Sequence, residues 1–180
     1  MDDQRVENAV RQWLQSVVIN LNLCPFARKA LIRNSVRFTV SEVDREDHLL
    51  EVLLEELQLL QNSPNIETTL LIHPRVLSDF TEYNEFLPLV DEFLGQIKLD
   101  GIFQIASFHP EYQFAGSEPE DVENYTNRSP YPILHILKEE SLDEAIDNYP
   151  DVDRIPEINI KRMREMGLDK MQELLRQCFG

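Results

Sequence analysis

Between residues 36 and 108, three short runs of β-branched and large apolar residues alternate with two long helical patterns. Few folds accept that order. Residues 36–41, 68–72 and 102–108 read as strands, the last apolar on both faces. Residues 45–61 repeat Leu at helical spacing and stop at Asn62-Ser63-Pro64-Asn65, a turn-rich break. Residues 79–98 line up Phe80, Tyr83, Phe86, Leu87, Val90, Phe93, Leu94 and Ile97, with Asp79 or Ser78 as the cap. Pro88 inside that pattern predicts a kink or two short helices. The β-α-β-α-β order predicts an α/β fold, a small parallel three-stranded sheet packed by helices. A ferredoxin-like or mixed sheet is the alternative.

An N-terminal helix over residues 3–22, capped by Asp2 or Asp3 and ended by Pro25, precedes the sheet. A helical C-terminal part follows it. Ser129-Pro130 reads as a cap with proline at the first helical position. Ser141-Leu-Asp-Glu144 is a capping box that starts a second helix. Residues 148–153 are a polar break, Pro156 and Gly167 bound a helix over 157–166, and residues 169–178 are amphipathic. No repeat or linker divides the chain, so residues 1–180 read as one α/β domain.

The third strand closes on His109-Pro110, and about twenty residues then show neither period, a length that is usually functional or disordered. Phe108, Tyr112, Phe114, Tyr125 and Tyr131 give this loop much to bury, which argues for a site. The second strand closes in the same way, on His73-Pro74. Ligands of open parallel sheets bind outside the carboxyl ends of the strands, so His73 and His109 are expected on one edge. There they can serve as acid and base, with Tyr112 beside them. Cys24 is a candidate nucleophile, although the end of a helix is a poor place for a thiolate. Asn127, Arg128 and Ser129 precede the expected helix, where free N–H groups and a guanidinium would cradle an anion. The plainer readings are packing histidines, a buried apolar Cys24, and Arg128 paired with Glu118, Asp121 or Glu123.

The net charge is −16, from 33 acidic and 17 basic residues. Such a chain is repelled by phosphate backbones and anionic lipid, so neither nucleic acid nor membrane is an expected partner. Arg28, Lys29, Arg33 and Arg37 form a local exception, either a solvated segment or the positive wall of a pocket. Two cysteines make neither a disulfide framework nor a zinc pattern. A metal set drawn from Cys24, His73, His109 and His135 matches no ligand spacing, so no metal is expected. His135 reads as a satisfied core-edge histidine and His48 as surface. No phosphate-binding glycine loop or nucleophile elbow is present, so the sequence names no cofactor. The start lacks the basic and apolar stretches of a signal peptide, and no apolar run spans a bilayer. A cytoplasmic protein is the expectation.

Four segments carry a resemblance: Asn22-Leu-Cys-Pro-Phe-Ala27, Glu67-Thr-Thr-Leu-Leu-Ile-His-Pro74, Ser107-Phe-His-Pro-Glu-Tyr-Gln-Phe-Ala-Gly116 and Asn124-Tyr-Thr-Asn-Arg-Ser-Pro-Tyr-Pro132. Together they resemble a bacterial family catalogued as domain of unknown function 1415, from Trp13 to Leu168. Glu111 stands where the family pattern implies Asp, a change that keeps the charge. The resemblance implies that Cys24, His73, His109, Tyr112, Asn127, Arg128 and Ser129 do more than pack, and it brings no activity. The expectation is an enzyme acting on an anionic small molecule by hydrolysis or group transfer. The alternatives are a non-catalytic metabolite-binding module and an interaction domain that uses the aromatic loop.

Overall fold

A computed structural model describes residues 2–147, 149 and 152–180. Helix α1 (Asp3–Trp13) starts where the Asp2 side chain accepts from the Gln4 N–H, and it buries Val6, Ala9, Val10 and Trp13. It runs on into a π-helical segment, Leu14–Ile19. A short helix α2 (Ala27–Ile32), unforeseen from the sequence, leads into β1 (Val36–Val40). Then follow α3 (Glu46–Asn62), β2 (Thr68–Ile72), α4 (Phe80–Gln96) and β3 (Phe103–Phe108). Asp79 caps α4 by accepting from the Thr81 and Glu82 N–H groups. Helix α4 is continuous through Pro88, so the two short helices allowed by the sequence are one.

The predicted parallel three-stranded sheet needs correction. The sheet has four strands in the order β1-β2-β4-β3, where β4 is Ile133–Lys138. β1 and β2 are parallel, and β4 is antiparallel to both β2 and β3. The three expected strands therefore do point one way, but the sheet is mixed. The residues after Ser129-Pro130 form a strand, not a helix. Pro132 explains this, because it keeps Tyr131 out of the helical region. The Pro132 carbonyl then accepts the His73 N–H at 3.1 Å and extends the β2–β4 ladder. Strand β3 is an edge strand, with Gln104 exposed, so it is not apolar on both faces.

After β4 come α5 (Glu139–Asp147), α6 (Ile155–Met166) and α7 (Leu168–Gln177). Gly167, at φ 78°, turns the chain between the last two, a conformation glycine adopts without steric cost. The expected polar break at 148–153 includes Asn148, Pro150 and Asp151, which lie outside the described residues.

Each face of the sheet carries its own core. Leu71, Leu134, Ile136 and Phe103 meet Leu49, Leu53, Leu57 and Leu60 of α3 and Tyr83, Phe86, Val90 and Leu94 of α4. Leu70, Ile72 and Ile133 meet α1, the π segment, Met163 of α6 and Met171 of α7. The strand alternation thus feeds two helical layers. The basic segment is dispersed by this arrangement. Arg37 makes a two-pronged bond to Glu56 of α3 (2.7 and 3.0 Å), Arg33 reaches Glu67 at 3.4 Å, and Arg28 donates to the Ile19 carbonyl. It does not form one positive wall.

Leu71 is fully buried in the central strand, whereas Leu89 is 49 % exposed. Leu71→Ala is expected to cost about 2–5 kcal/mol. Leu89→Ala is expected to stay within about 0.5 kcal/mol. Urea unfolding of the two variants checks the assignment of this core.

Candidate functional site

Strands β1, β2 and β3 deliver their carboxyl ends to one edge, and both His-Pro pairs stand there. His73 follows β2 and His109 follows β3, each without exposed surface. Their side chains join the core under α4. The His73 ring stacks on Tyr83 (centroids 5.8 Å), Tyr83 meets His109 at 5.1 Å, and Phe80 meets His109 at 5.4 Å. Tyr112 then covers Phe80 at 5.2 Å, and Phe114 covers Tyr112 at 5.0 Å. The row runs from a partly exposed phenylalanine to a buried imidazole. Tyr83, which stands between the histidines, is fixed by its hydroxyl, which donates to the Ile133 carbonyl at 2.8 Å.

The hydrogen bonds assign the ring protons. His73 Nδ1 lies 3.0 Å from the Val76 carbonyl, which can only accept, so Nδ1 carries the proton. Its Nε2 lone pair is buried with no partner. His109 Nε2 lies 3.2 Å from the Leu77 carbonyl and must donate, while Nδ1 accepts from the Glu111 N–H at 3.0 Å. Burial holds both rings neutral. It pushes His73 down to about 4 and lowers His109 as well.

Both bonds end on the turn after β2, residues 74–78. Leu77 there has φ 57°, an unusual conformation for a bulky residue, and is itself buried. This turn is one wall of an open cleft of about 550 Å³, lined by Arg75, Val76, Leu77 and Ser78, by Asp44–Asp47 at the start of α3, and by Glu82 of α4. Helix α3 begins at Arg45 without a side-chain cap. Arg45 instead forms a bidentate pair with Asp47 (2.9 and 2.7 Å), which holds that carboxyl at about 2. Arg75 makes long contacts to Glu42, at 3.3 and 3.4 Å. Sequence reasoning missed Arg45, Arg75, Ser78, Phe80 and Tyr83. The available signal was Arg75, directly after His73-Pro74 at a strand end.

The other expected residues separate. Cys24 belongs to the core on the opposite face of the sheet from His73 and His109. It precedes α2, and the Phe26 and Ala27 N–H groups favour its thiolate, but burial outweighs them and raises its pKa. The helix start expected at Ser129 is absent, because Ser129 leads towards β4 and its hydroxyl donates to the Tyr131 carbonyl at 2.6 Å. No helix dipole backs Arg128. Its guanidinium donates to the carbonyls of Tyr112 (3.1 Å) and Pro119 (2.7 Å) and lies 4.7 Å over the Tyr125 ring. Its own carbonyl accepts the Trp13 indole N–H at 2.9 Å. Asn127 donates to the Ser107 carbonyl, and buried Asn124 bonds Phe114, Ser117 and Glu118. These side chains hold the loop in shape.

His135 lies on the other sheet face, beside Phe108. The Thr68 hydroxyl spends its proton on the Ile136 carbonyl, so His135 Nε2–H donates to Thr68 at 2.7 Å. Burial takes His135 to about 4. Among the described residues, no three His, Cys, Asp or Glu are grouped as a metal site needs, and no helix is long and apolar enough to cross a membrane.

Two outcomes follow from these contacts. His73 and His135 titrate near 6.5 when unfolded and at about 4 when folded, so the unfolded chain binds more protons between those values. Their contribution is complete above pH 6.5 and is lost as pH falls towards 4, by about 3 kcal/mol each at the acid end. Urea unfolding between pH 7 and 4.5 measures the slope, and His135→Leu is expected to remove one share of it. Arg128→Ala, which leaves two loop carbonyls without a charged donor, is expected to cost about 1.5–3 kcal/mol. Arg128→Lys is expected to recover part, and thermal melts compare the three proteins.

No curated protein and no solved structure matches the chain. The sequence pattern of one family, described as protein of unknown function (DUF1415), matches residues 5–173. That span contains both His-Pro strand ends, the cleft and the stapled loop, and the chain belongs to this DUF1415 family.

Proposed function

We propose that the chain binds a small anionic molecule in the cleft at the carboxyl ends of β1 and β2. The observation that supports this best is the turn over residues 74–78. Two buried imidazoles hold its carbonyls, and it carries Arg75 into a cleft where α3 begins without a side-chain cap. The positive end of a helix favours an anion, and Arg75 adds a planar fork of donors, against the carboxylates of Asp44, Glu46, Asp47 and Glu82 on the same walls. The Arg45–Asp47 pair is more than half exposed on both sides, so it is weakly held and an incoming carboxylate or phosphate can exchange for Asp47. The cleft volume falls in the range of small-molecule sites.

A catalytic version of this reading, hydrolysis or group transfer on the bound anion, draws on His73 Nε2. That nitrogen keeps its lone pair and has no donor opposite it, but it is buried behind the residues that line the cleft, so this version requires the turn over residues 74–78 to open. His109 and Tyr112 continue the same ring row. Cys24 has no part in it, because it sits across the sheet.

The test is thermal melting with a panel of phosphorylated and carboxylate metabolites. A ligand that binds the native state raises the melting temperature. Arg75→Ala is expected to cancel the shift while leaving the unliganded melt unchanged, and Arg75→Lys to restore part of it. A shift that persists in Arg75→Ala removes the cleft from consideration. For the catalytic version, His73→Asn keeps a donor towards Val76 and deletes Nε2. Product formation that survives this change excludes His73 as the base.

A further inference from the structure

His109 joins two segments that no strand pairing connects. Its Nε2–H donates to Leu77 in the turn after β2, and its Nδ1 accepts from Glu111 in the loop after β3. Both bonds require the neutral ring with the proton on Nε2. A second proton has one place to go, Nδ1, and there it faces the Glu111 N–H, donor against donor. The Leu77 bond survives that event, since Nε2 keeps its proton. The Glu111 bond does not.

We propose that His109 is a proton-operated tie within the loop after β3: the neutral ring holds the Glu111 amide two residues on, and protonation releases that amide while the bond to Leu77 stays. The rest of the loop keeps its own bonds: the Tyr112 N–H donates to the His109 carbonyl, and the Tyr112 carbonyl accepts from Arg128. The charged and titratable groups around the ring come from each neighbouring element. Helix α4 presents Asp79 and Tyr83, the end of β2 presents His73, and the loop presents Glu111 and Tyr112. Arg128, in the segment whose Asn127 and Ser129 bond the His109 backbone, turns its guanidinium to Tyr112 and Pro119. Asp79 and Glu111 favour the charged ring, and burial opposes them and prevails, so the tie is closed at neutral pH. Release therefore begins below the ordinary histidine range of about 6.5. The inference concerns the loop itself and stands apart from the anion reading.

Two substitutions separate the two bonds. In His109→Asn, the side-chain oxygen sits where Nδ1 sits and can accept from Glu111, but nothing titrates. In His109→Gln, a donor still reaches towards Leu77, but no acceptor stands at the Nδ1 position. The experiment is amide hydrogen exchange of the full chain from pH 7.5 to 4.5, corrected for intrinsic rates and read at Glu111, with Tyr112 as the internal control. In the wild type, protection at Glu111 is expected to fall by up to about tenfold per pH unit once the ring titrates, while Tyr112, β2 and β4 stay protected. His109→Asn is expected to give a flat profile at high protection, and His109→Gln a flat profile at low protection. A flat wild-type profile overturns the proposal even if neither variant folds. An acid-dependent loss that persists in His109→Asn overturns it too, by assigning the titration to Asp79 or Glu111.

Discussion

Strand β4 is the constraint on which the architecture depends. It lies between β2 and β3 and runs against both, so it completes the ladders of two strands that would otherwise each expose an edge. Its side chains also divide the molecule. Leu134 and Ile136 enter the core under α3 and α4, while Ile133 enters the core under α1, α6 and α7. A strand in that slot forces the loop from β3 to double back before it can pair. β3 and β4 are antiparallel neighbours that a short turn could join, so the long segment between Phe108 and Ile133 exceeds what the topology requires, and its own internal bonds hold it in shape. Arg128, Asn124 and Asn127 supply the donors that a ladder would otherwise supply.

This explains what the sequence could and could not disclose. The three co-directional strands, α3, α4 and the two caps Asp2 and Asp79 are written in local period and composition, and they emerge where expected. Both His-Pro pairs fall on one edge because strand direction follows from the helical crossovers, which length and pattern reveal. Strand β4 was hidden for a local reason. Ile133-Leu-His-Ile-Leu137 is too short and too apolar to separate strand from helix, and Ser129-Pro130 imitates a helix start. Pro132 was the discriminating residue, since a second proline two positions on is hostile to a first helical turn. The partition of site residues was not legible at all. Whether Cys24 shares a face with His109 depends on which layer each connection packs into, and no local period encodes that.

The charges follow the same division. A chain of net charge −16 sets several of its arginines singly against specific acceptors. Arg37 is the clearest case, bonded twice to a Glu56 carboxylate that is almost fully buried, and its counterpart across the sheet, Arg11, lies 3.8 Å over Phe38. Arg28 and Arg128 spend their donors on backbone carbonyls. Arg75 and Arg45 pair with exposed carboxylates that water already screens, and Arg75 also donates to the Glu42 carbonyl. In the proposed reading the exchangeable positive charge lies beside the α3 start and away from the loop at 128.

The turn over residues 74–78 shows how the histidines act without touching solvent. A leucine held at φ 57° costs about 1–2 kcal/mol relative to an ordinary conformation. Burying a leucine side chain stabilises by about 1.5–3 kcal/mol, and Leu77 is buried between the α3 and α4 side chains. Burial therefore outweighs the strain, and the His109 bond to the Leu77 carbonyl adds about 0.5–1.5 kcal/mol more. The His73 bond fixes Val76 one residue earlier. With two successive carbonyls held by rigid rings, the backbone beneath Arg75 has little freedom left. A guanidinium on such a base loses less entropy when it closes on a ligand than one on a mobile loop. In the proposed site, the buried imidazoles would act through the backbone they hold, so their lack of surface does not set them apart from it.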